Sequence, residues 1–272
     1  MRLQDRVAVV TGAGSGMGRE TSLLFAEEGA HVVALDVRLD TAEKTVSEMG
    51  GGLAIACDVS DREQVDAAFG QVDDRFGRVD VLANIAGINP APNDATDVLF
   101  EGMIARMDQM QAGETPTAFT DQVIHMPDEG WHRMIDVHLN GTFYCTRAAL
   151  RIMSRNNTAG SIVNTASIAA LAGISQSHYC AAKGGILAFS RGLAREVAPR
   201  NIRVNVVCPG IIDTPMNAGI PPAVMAGVSA AIPLGRQGHP REVALAFLYL
   251  ASDDSSYLTG QWISPNGGIV IC

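Results

Sequence analysis

The sequence predicts an α/β protein: a Rossmann-like, doubly wound parallel sheet of seven strands in a single domain, residues 1–272. Three observations lead to this prediction. Short apolar runs alternate with longer helical patterns, the first run leads into a glycine-rich turn, and no linker or shift in composition marks a second domain. Runs that are apolar throughout are typical of strands covered by helices on both faces, as in parallel sheets.

Seven apolar runs are the candidate strands. Their length and content of branched residues fit buried strands, and helical patterns separate most of them, as right-handed crossovers between parallel strands require. In chain order they are residues 7–10, 31–35, 53–56, 79–84, 161–164, 202–207 and 261–264.

Composition limits the functional classes. Hydrophobic residues make up 47% of the chain and charged residues 18%, which fits a compact globular protein. A net charge of −9 without a lysine or arginine cluster argues against a nucleic-acid surface. The chain contains no apolar stretch long enough to span a membrane and no signal-peptide core, so a cytoplasmic location is expected. The histidines and cysteines lack metal-ligand spacing, so no metal site is expected.

Residues 88–130 interrupt the alternation and form an unusually long connection between Gly87 and Trp131. We predict a helical insertion there, with Thr96 or Asp97 as N-cap and Gly113 at its end. Packing against the same domain, a lid over a binding site and a subunit contact all remain open. The insertion helix carries an apolar stripe at helical spacing, formed by Leu99, Met103, Met107 and Met110.

The first strand runs into a glycine-rich turn followed by a helical pattern. Glycines allow a tight turn and a close approach of the backbone to a pyrophosphate, and the helix N-terminus offers unpaired N–H groups to the anion. The position of the turn between a strand and a helix favours a dinucleotide site. The candidate cofactor-binding residues in the turn are Gly12, Ser15, Gly16, Met17 and Gly18.

Carboxylates end the next two strands. Asp36 can accept hydrogen bonds from the adenosine ribose and would repel a 2′-phosphate, which favours NAD over NADP. Arg38 is the complication, because an arginine could receive that phosphate. Asp58 either caps a helix or faces the adenine, and Val59 follows it in the same candidate cofactor site.

The segment around residues 177–183 places Tyr179 and Lys183 four residues apart, and therefore one turn apart on one face of a helix. The ammonium could then favour the ionised phenol. Taken alone, the pair is more typical of an ordinary helix that carries one aromatic residue and one lysine. His178 adjoins the tyrosine but projects from another face of the helix, so a supporting or surface role is expected rather than catalysis.

Three motifs in this order give the chain a family resemblance: Thr11-Gly12-x-x-x-Gly16-x-Gly18, Asn84-Ile85-Ala86-Gly87 and Tyr179-x-x-x-Lys183. Nearly the whole chain resembles the short-chain dehydrogenases/reductases, in particular the compact alcohol dehydrogenases and 3-oxoacyl reductases. The resemblance implies a seven-stranded parallel Rossmann sheet, a nicotinamide cofactor and assembly as homotetramers or homodimers. Partners would be a small-molecule alcohol or ketone, with neither nucleic acid nor membrane.

The resemblance also implies residue roles. Tyr179 and Lys183 correspond to the catalytic pair and also to cofactor contacts, Ser167 to the substrate-orienting serine, and Asn140 to an asparagine that holds a proton-relay water. Asn84 corresponds to a residue that braces the central strand beside the cofactor. Pro209, Gly210, Ile212 and Thr214 lie in the loop expected to meet the nicotinamide. Candidate walls of an apolar substrate pocket are Leu171, Ile174 and Met216.

Two departures from the family pattern stand out. Ser167 and Tyr179 are one residue closer than in many members, and "SPNGG", residues 264–268, stands where an acidic motif is common. The function expected is NAD(H)-dependent interconversion of a secondary alcohol and a ketone, with Tyr179 as general acid and base. The alternatives are an NADPH-dependent 3-oxoacyl-thioester reductase and a non-catalytic, cofactor-sensing protein of the same fold.

Overall fold

The computed structural model describes residues 1–89 and 94–271, apart from the side chain of residue 218. Seven parallel strands form one sheet in the order β3-β2-β1-β4-β5-β6-β7. The strands are β1 (Val7–Thr11), β2 (His31–Asp36), β3 (Leu53–Ala56), β4 (Val81–Asn84), β5 (Gly160–Thr165), β6 (Ile202–Val207) and β7 (Trp262–Ile263). The seven-stranded Rossmann-like fold predicted from the sequence is confirmed.

Helices cover both faces of the sheet, because alternate residues of each buried strand project to opposite sides. In β1, Val7 and Val9 belong to one apolar cluster, and Ala8 and Val10 belong to the other. The α-helices are α1 (Gly16–Glu27), α2 (Leu39–Glu48), α3 (Arg62–Phe76), α4 (Thr96–Gln111), α5 (Gln122–His125), α6 (Asp128–Ile135), α7 (Gly141–Arg155), α8 (Ile168–Ala172), α9 (Ser177–Val197), α10 (Pro222–Ala230) and α11 (Pro240–Ala251).

Strand order reverses between β1 and β4, because β2 and β3 extend the sheet in one direction and β5 to β7 in the other. In doubly wound sheets the crevice at such a reversal, at the carboxyl ends of the strands, is the usual place for a ligand. Here the Thr11 hydroxyl oxygen accepts hydrogen bonds from the main-chain N–H groups of Ile85 and Ala86, at 2.9 and 3.0 Å. This contact holds the glycine-rich turn against the loop that follows β4.

The insertion contains α4 and α5, but its first helix begins differently from the prediction. Thr96 is already helical, and the N-cap position is occupied by Ala95, whose φ of 59° is left-handed. The carboxylate of Asp94 accepts from the Thr96 N–H at 3.1 Å and takes over the capping role. Thr96 and Asp97 are therefore wrong as N-caps, whereas Gly113, with a φ of 75°, follows the end of α4 as expected.

The apolar stripe of α4 lies outside the three apolar clusters of the described residues: Leu99, Met103 and Met107 are half-buried and Met110 is exposed. The structure describes every position of α4, and Gly102 alone among them is buried. Met110 is 64% exposed. Gly102 is buried because the main chain of Phe119 crosses α4 there, so close that a Cβ would lie 2.2 Å from the Phe119 carbonyl oxygen. α4 also contacts α10. Among the described residues, none of the helices is both long and apolar enough to cross a membrane.

Candidate active site

The glycine-rich turn fits a closely approaching anion. A Cβ at Gly18 would lie 2.0 Å from the Gly12 carbonyl oxygen, and one at Gly12 would lie 2.8 Å from the Cα of Ala86. Ser15, exposed and with extended backbone, precedes the first turn of α1, where Gly16, with a φ of 52°, and Met17 follow. Bare backbone at a helix N-terminus suits the pyrophosphate of a dinucleotide. The turn therefore has the shape that the sequence predicts for a cofactor site.

Asp36 ends β2 beside this turn, and its carboxylate is held by main-chain donors. Oδ2 accepts from the Gly14 N–H at 2.9 Å, and Oδ1 accepts from the Arg38 N–H at 3.0 Å. The side chain is half-buried, whereas Arg38 is exposed. The fixed negative charge at the end of the second strand is the feature expected to face the adenosine ribose.

Asp58 does not cap a helix. α3 is capped by Asp61, whose carboxylate accepts from the N–H groups of Glu63 and Gln64. Asp58 instead accepts from the main-chain N–H and hydroxyl of Ser60, at 2.9 and 2.7 Å. The neighbouring Val59 is buried and packs so closely on Gly141 that a Cβ there would lie 2.8 Å from a Val59 methyl group. The helix-capping alternative for Asp58 is therefore wrong, and the interpretation as part of the adenine side stays a prediction.

Asn84 lies in the interior, behind the crevice. Its amide nitrogen donates to the side-chain oxygens of Asn164, at 2.8 Å, and Thr146, at 3.0 Å. The main-chain carbonyl oxygen of Asn84 accepts from the Thr165 hydroxyl at 2.5 Å. The residue thus joins β4, β5 and α7, which matches the bracing role that the resemblance implies.

Tyr179, Lys183 and Ser167 meet beyond the carboxyl end of β5. Tyr179 and Lys183 occupy successive turns of α9, and the lysine Nζ lies 5.6 Å from the centre of the tyrosine ring. Lys183 is buried, and its ammonium group donates to the Thr165 carbonyl oxygen at 2.9 Å. Ser167, the N-cap of α8, hydrogen-bonds the phenol. The three candidate catalytic side chains therefore form one cluster.

The electrostatics of this cluster differ from the sequence prediction. Burial raises the pKa of Tyr179 to about 12, against a smaller lowering by the Ser167 hydrogen bond. Burial also lowers the pKa of Lys183 to about 7. The expected lowering of the phenol pKa by Lys183 does not dominate, because the ammonium is directed to Thr165 and burial favours the neutral form of both groups.

Asn140 is close to the cluster but is engaged elsewhere. Its amide donates to the Asp136 carboxylate at 2.7 Å. The residue that packs on Tyr179 is His138, whose ring meets the tyrosine ring edge-on at a centroid distance of 5.3 Å. Both residues lie in a π-helical turn, Asp136–Asn140, between α6 and α7, and such turns are frequent at functional sites. The proton-relay role expected of Asn140 therefore remains a prediction, and His138 is the residue of this turn that contacts the Tyr179 ring.

His138 is a residue that sequence reasoning missed. It is buried, and its Nε2 lies 3.2 Å from the carbonyl oxygen and 3.3 Å from the nitrogen of Ile88. Its Nδ1 has no hydrogen-bond partner among the residues that the structure describes. Burial, together with the charge of Lys183, lowers the pKa of His138 well below its usual range. A neutral imidazole therefore stands beside the phenol, and Gly87 lacks the Cβ that would collide with it, 2.6 Å from Cε1.

The loop after β6 closes the opposite side of the crevice. A Cβ on Gly210 would lie 2.6 Å from the Cα of Asn266, so the "SPNGG" departure packs directly behind the loop. The Pro209 carbonyl oxygen accepts from the Ile168 N–H at 3.1 Å, beside Ser167. Ile212 is buried, and Thr214 lies across from Gly16, where a Cβ would be 3.4 Å from the threonine methyl group. The loop thus spans from the serine to the glycine-rich turn.

The three candidate residues of the pocket wall differ in their exposure and in their contacts. Leu171 is half-buried and packs on the cluster formed by Ala166, Ile186, Leu187, Val206 and Cys208. Ile174 is 52% exposed. Met216 is half-buried, and its carbonyl oxygen accepts a hydrogen bond from the Asn89 amide of the insertion. The insertion therefore reaches the loop that borders the candidate site.

His178 is buried and does not reach the surface. Its Nε2 lies 3.1 Å from the Asp94 carboxylate, which is also buried. The surface role considered from the sequence is therefore wrong. Its supporting role depends on a contact with a residue 84 positions earlier in the chain, which local spacing does not reveal.

Comparison with known proteins agrees with the fold and the motifs. A family model described as short chain dehydrogenase matches residues 6–224. The chain is 38% identical to a 3-oxoacyl-acyl-carrier-protein reductase of Thermotoga maritima, with all of both chains covered. It is 33% identical to a meso-2,3-butanediol dehydrogenase of Serratia marcescens, covering 98% of this chain and 96% of the relative.

Among solved structures, a short-chain type dehydrogenase/reductase from Mycobacterium marinum superposes with a TM-score of 0.83 at 32% identity. That match covers 99% of this chain and 97% of the solved chain. Both the sequence and the fold comparisons therefore span nearly the full length. The chain belongs to the short-chain dehydrogenase/reductase family.

Proposed function

We propose that this protein is an NAD(H)-dependent oxidoreductase that interconverts a secondary alcohol and a ketone, with Tyr179 as general acid and base. The observation that carries the proposal is the cluster of Tyr179, Ser167 and Lys183 at the carboxyl end of the sheet, beside the glycine-rich turn. A phenol, a hydroxyl and an amine around one point suit proton transfer at a carbonyl oxygen. The meso-2,3-butanediol dehydrogenase relative supports a secondary alcohol as substrate.

In the direction of ketone reduction, Tyr179 gives its phenolic proton to the carbonyl oxygen as negative charge develops there. Ser167 donates a hydrogen bond to the same oxygen and so lowers the cost of that charge. Lys183, when protonated, stabilises the phenolate that remains. The nicotinamide cofactor, when bound, supplies or accepts the hydride at C4. Gly12, Ser15, Gly16, Met17 and Gly18 would hold its pyrophosphate, and Asp36 its adenosine ribose.

Replacing Tyr179 by phenylalanine tests the proton-transfer role. Tyr179→Phe keeps the ring against His138 but removes the transferable proton, so kcat should fall by about 10²–10⁴-fold. NADH binding, measured by the fluorescence change on titration, should be retained. Tyr257→Phe, at a fully exposed tyrosine, is the matched control and should leave kcat unchanged. Near-native turnover of Tyr179→Phe would remove this residue from the chemistry.

The choice of NAD rests on the carboxylate of Asp36. Asp36→Ala removes the charge that would repel a 2′-phosphate and leaves Arg38 in place, so the ratio of kcat/KM for NADPH to that for NADH should rise by about tenfold or more. Steady-state kinetics with both cofactors measure the ratio. A wild-type protein that already prefers NADPH would show that Arg38 outweighs Asp36 and would overturn the assignment of NAD.

A second candidate is reduction of a 3-oxoacyl thioester. The full-length similarity to the Thermotoga maritima reductase favours it. The strongly acidic balance of the chain disfavours docking of an acidic carrier protein. A screen of simple ketones against 3-oxoacyl thioesters, each with NADH and NADPH, separates the two. Higher kcat/KM for thioesters with NADPH would favour the second candidate.

A further inference from the structure

A buried His–Asp pair connects the catalytic helix to the insertion. His178, the residue before Tyr179 on α9, places its Nε2 3.1 Å from Oδ2 of Asp94. The two side chains are 0% and 2% exposed. The pair therefore lies in the interior, next to the candidate catalytic tyrosine, and neither residue belongs to the proton-transfer cluster.

Asp94 also holds the insertion together. Its other carboxylate oxygen, Oδ1, accepts from the Thr96 N–H at the start of α4, at 3.1 Å. Gln122, the first residue of α5, directs its buried amide to the Asp94 carbonyl oxygen at 3.4 Å and to the Thr96 hydroxyl at 3.2 Å. One carboxylate thus joins α9 to the beginning of α4, and one amide ties α5 to the same point. We call these four residues the clasp: Asp94, Thr96, Gln122 and His178.

Stability alone does not explain a buried polar cluster of this kind. A buried ionic or polar pair is often no more stable than apolar residues of the same volume, whereas loss of one partner leaves the other unsatisfied at a cost of several kcal/mol. The arrangement therefore specifies a position more effectively than it adds stability. What it specifies here is where α4 and α5 sit relative to the helix that carries Tyr179.

The other contacts of the insertion lead to the candidate substrate side. The Asn89 amide donates to the Met216 carbonyl oxygen in the loop after β6, and α4 contacts α10, which follows that loop. Leu99, Met103 and Met107 of the stripe are half-buried and Met110 is exposed, so part of the apolar face of α4 is open to an apolar ligand. The clasp thus fixes the insertion to the catalytic helix, and Asn89 joins the insertion to the loop after β6.

We propose that Asp94 and His178 are positioning residues that lock the insertion onto the catalytic helix, where it forms the apolar wall for the alcohol or ketone. This inference rests on the proposed function for the identity of the substrate. The effect should appear in substrate binding, because the clasp holds the wall, and not in cofactor binding, because the glycine-rich turn and Asp36 lie on other elements.

The test compares three clasp variants with a control. His178→Phe keeps a ring but removes the partner of Asp94, and Asp94→Ala removes both oxygens. Asp94→Asn is the conservative variant, because it retains an oxygen for His178 or Thr96. Asp97→Asn makes the same change at an exposed carboxylate three residues further on and should behave as wild type. Circular dichroism establishes that each variant is folded.

Hydrogen exchange, steady-state kinetics and NADH binding are measured on the full chain. Amide hydrogen exchange of peptides within residues 96–125 should speed up by about tenfold or more in His178→Phe and Asp94→Ala, because local opening becomes easier, and much less in Asp94→Asn. KM for the alcohol should rise by about tenfold, with kcat within about twofold and an unchanged Kd for NADH. The partial recovery in Asp94→Asn distinguishes positioning from a general loss of stability.

Unchanged exchange in both His178→Phe and Asp94→Ala would overturn the clasp. Faster exchange with unchanged KM would overturn the assignment of the insertion as the substrate wall. If the wild-type protein turns over neither alcohols nor ketones, the proposed function fails, and hydrogen exchange alone then decides whether the clasp holds the insertion. If His178→Phe does not fold, the pair Asp94→Ala and Asp94→Asn gives the same comparison.

Discussion

Replacing Lys183 by methionine should raise the free energy of unfolding near neutral pH, because the wild type then buries a lysine that is partly charged. Lys183 is buried, and among the described residues its ammonium group donates one hydrogen bond, to Thr165. Burial lowers the pKa of Lys183 from 10.5 to about 7. At 1.36 kcal/mol for each pH unit, holding this lysine protonated in the interior costs about 5 kcal/mol relative to the unfolded chain. Methionine has a similar stem and carries no charge.

The sign of the pH dependence follows from the two pKa values. Between about pH 7 and 10.5 the unfolded lysine is protonated and the folded one is mostly neutral, so the unfolded state binds more protons. The free energy of unfolding of the wild type therefore rises with pH through this window, and Lys183→Met lacks this rise. Below about pH 7 both states carry the proton, and the difference between the two proteins should become constant.

Urea unfolding at pH 6, 7, 8 and 9 and constant ionic strength measures the difference. Between pH 7 and 9 the wild type should gain about 2 kcal/mol relative to Lys183→Met, because a little under half of the linkage lies in that range. Lys44→Met is the matched control, since Lys44 is exposed on α2 and remains solvated in the folded state. A difference between wild type and Lys183→Met that stays constant from pH 7 to 9 would refute the argument that burial controls this lysine.

Two further predictions concern the backbone and the missed histidine. Gly18→Ala, whose Cβ would collide with the Gly12 carbonyl oxygen, should lower the free energy of unfolding by about 1–3 kcal/mol. Gly70→Ala, at an exposed position of α3 where a Cβ meets open space, should instead raise it by up to about 1 kcal/mol, and urea unfolding tests both. His138→Ala opens a cavity beside Tyr179 and leaves the Ile88 main chain unpaired, so it should destabilise by about 2–4 kcal/mol; a loss below about 0.5 kcal/mol would contradict the buried contact.

Most of the sheet could be predicted because its signals are local. The strands are continuous apolar runs, and their predicted ends lie within two residues of the observed ones. Val79, for example, precedes β4 by two positions. The glycine-rich turn and the Tyr179-Lys183 pair follow in the same way, since a close backbone approach requires glycine and helical spacing fixes the pair. Parallel pairing then brings the carboxyl ends of the strands to one edge, so the position of the site follows from the fold.

The residues that sequence reasoning missed depend on non-local contacts. His138, which sequence reasoning missed, lies two positions before Asn140 in a π-helical turn, whose extra residue alters which side chains face α9. His178 is adjacent to Tyr179 on another face of the helix, a position from which the sequence predicts either a supporting or a surface role. Asp94, far away in sequence, covers it. In both cases the information lies in what a distant segment places against the helix.

The pKa values of Tyr179 and Lys183 are set mainly by burial, which the four-residue spacing of the pair does not reveal. With the pKa of Tyr179 raised to about 12 and that of Lys183 lowered to about 7, the phenol keeps its proton at neutral pH. Under the proposed function, this neutral phenol is the form in which Tyr179 would act as the acid in ketone reduction. Alcohol oxidation needs the phenolate, and a protonated Lys183 stabilises it only at a pH low enough to keep the amine charged. Higher pH favours ionisation of the phenol but removes the charge on Lys183 that supports it. The two requirements oppose each other, so under the proposed function alcohol oxidation should depend more than ketone reduction does on the positive charge that the oxidised nicotinamide would bring to the cluster.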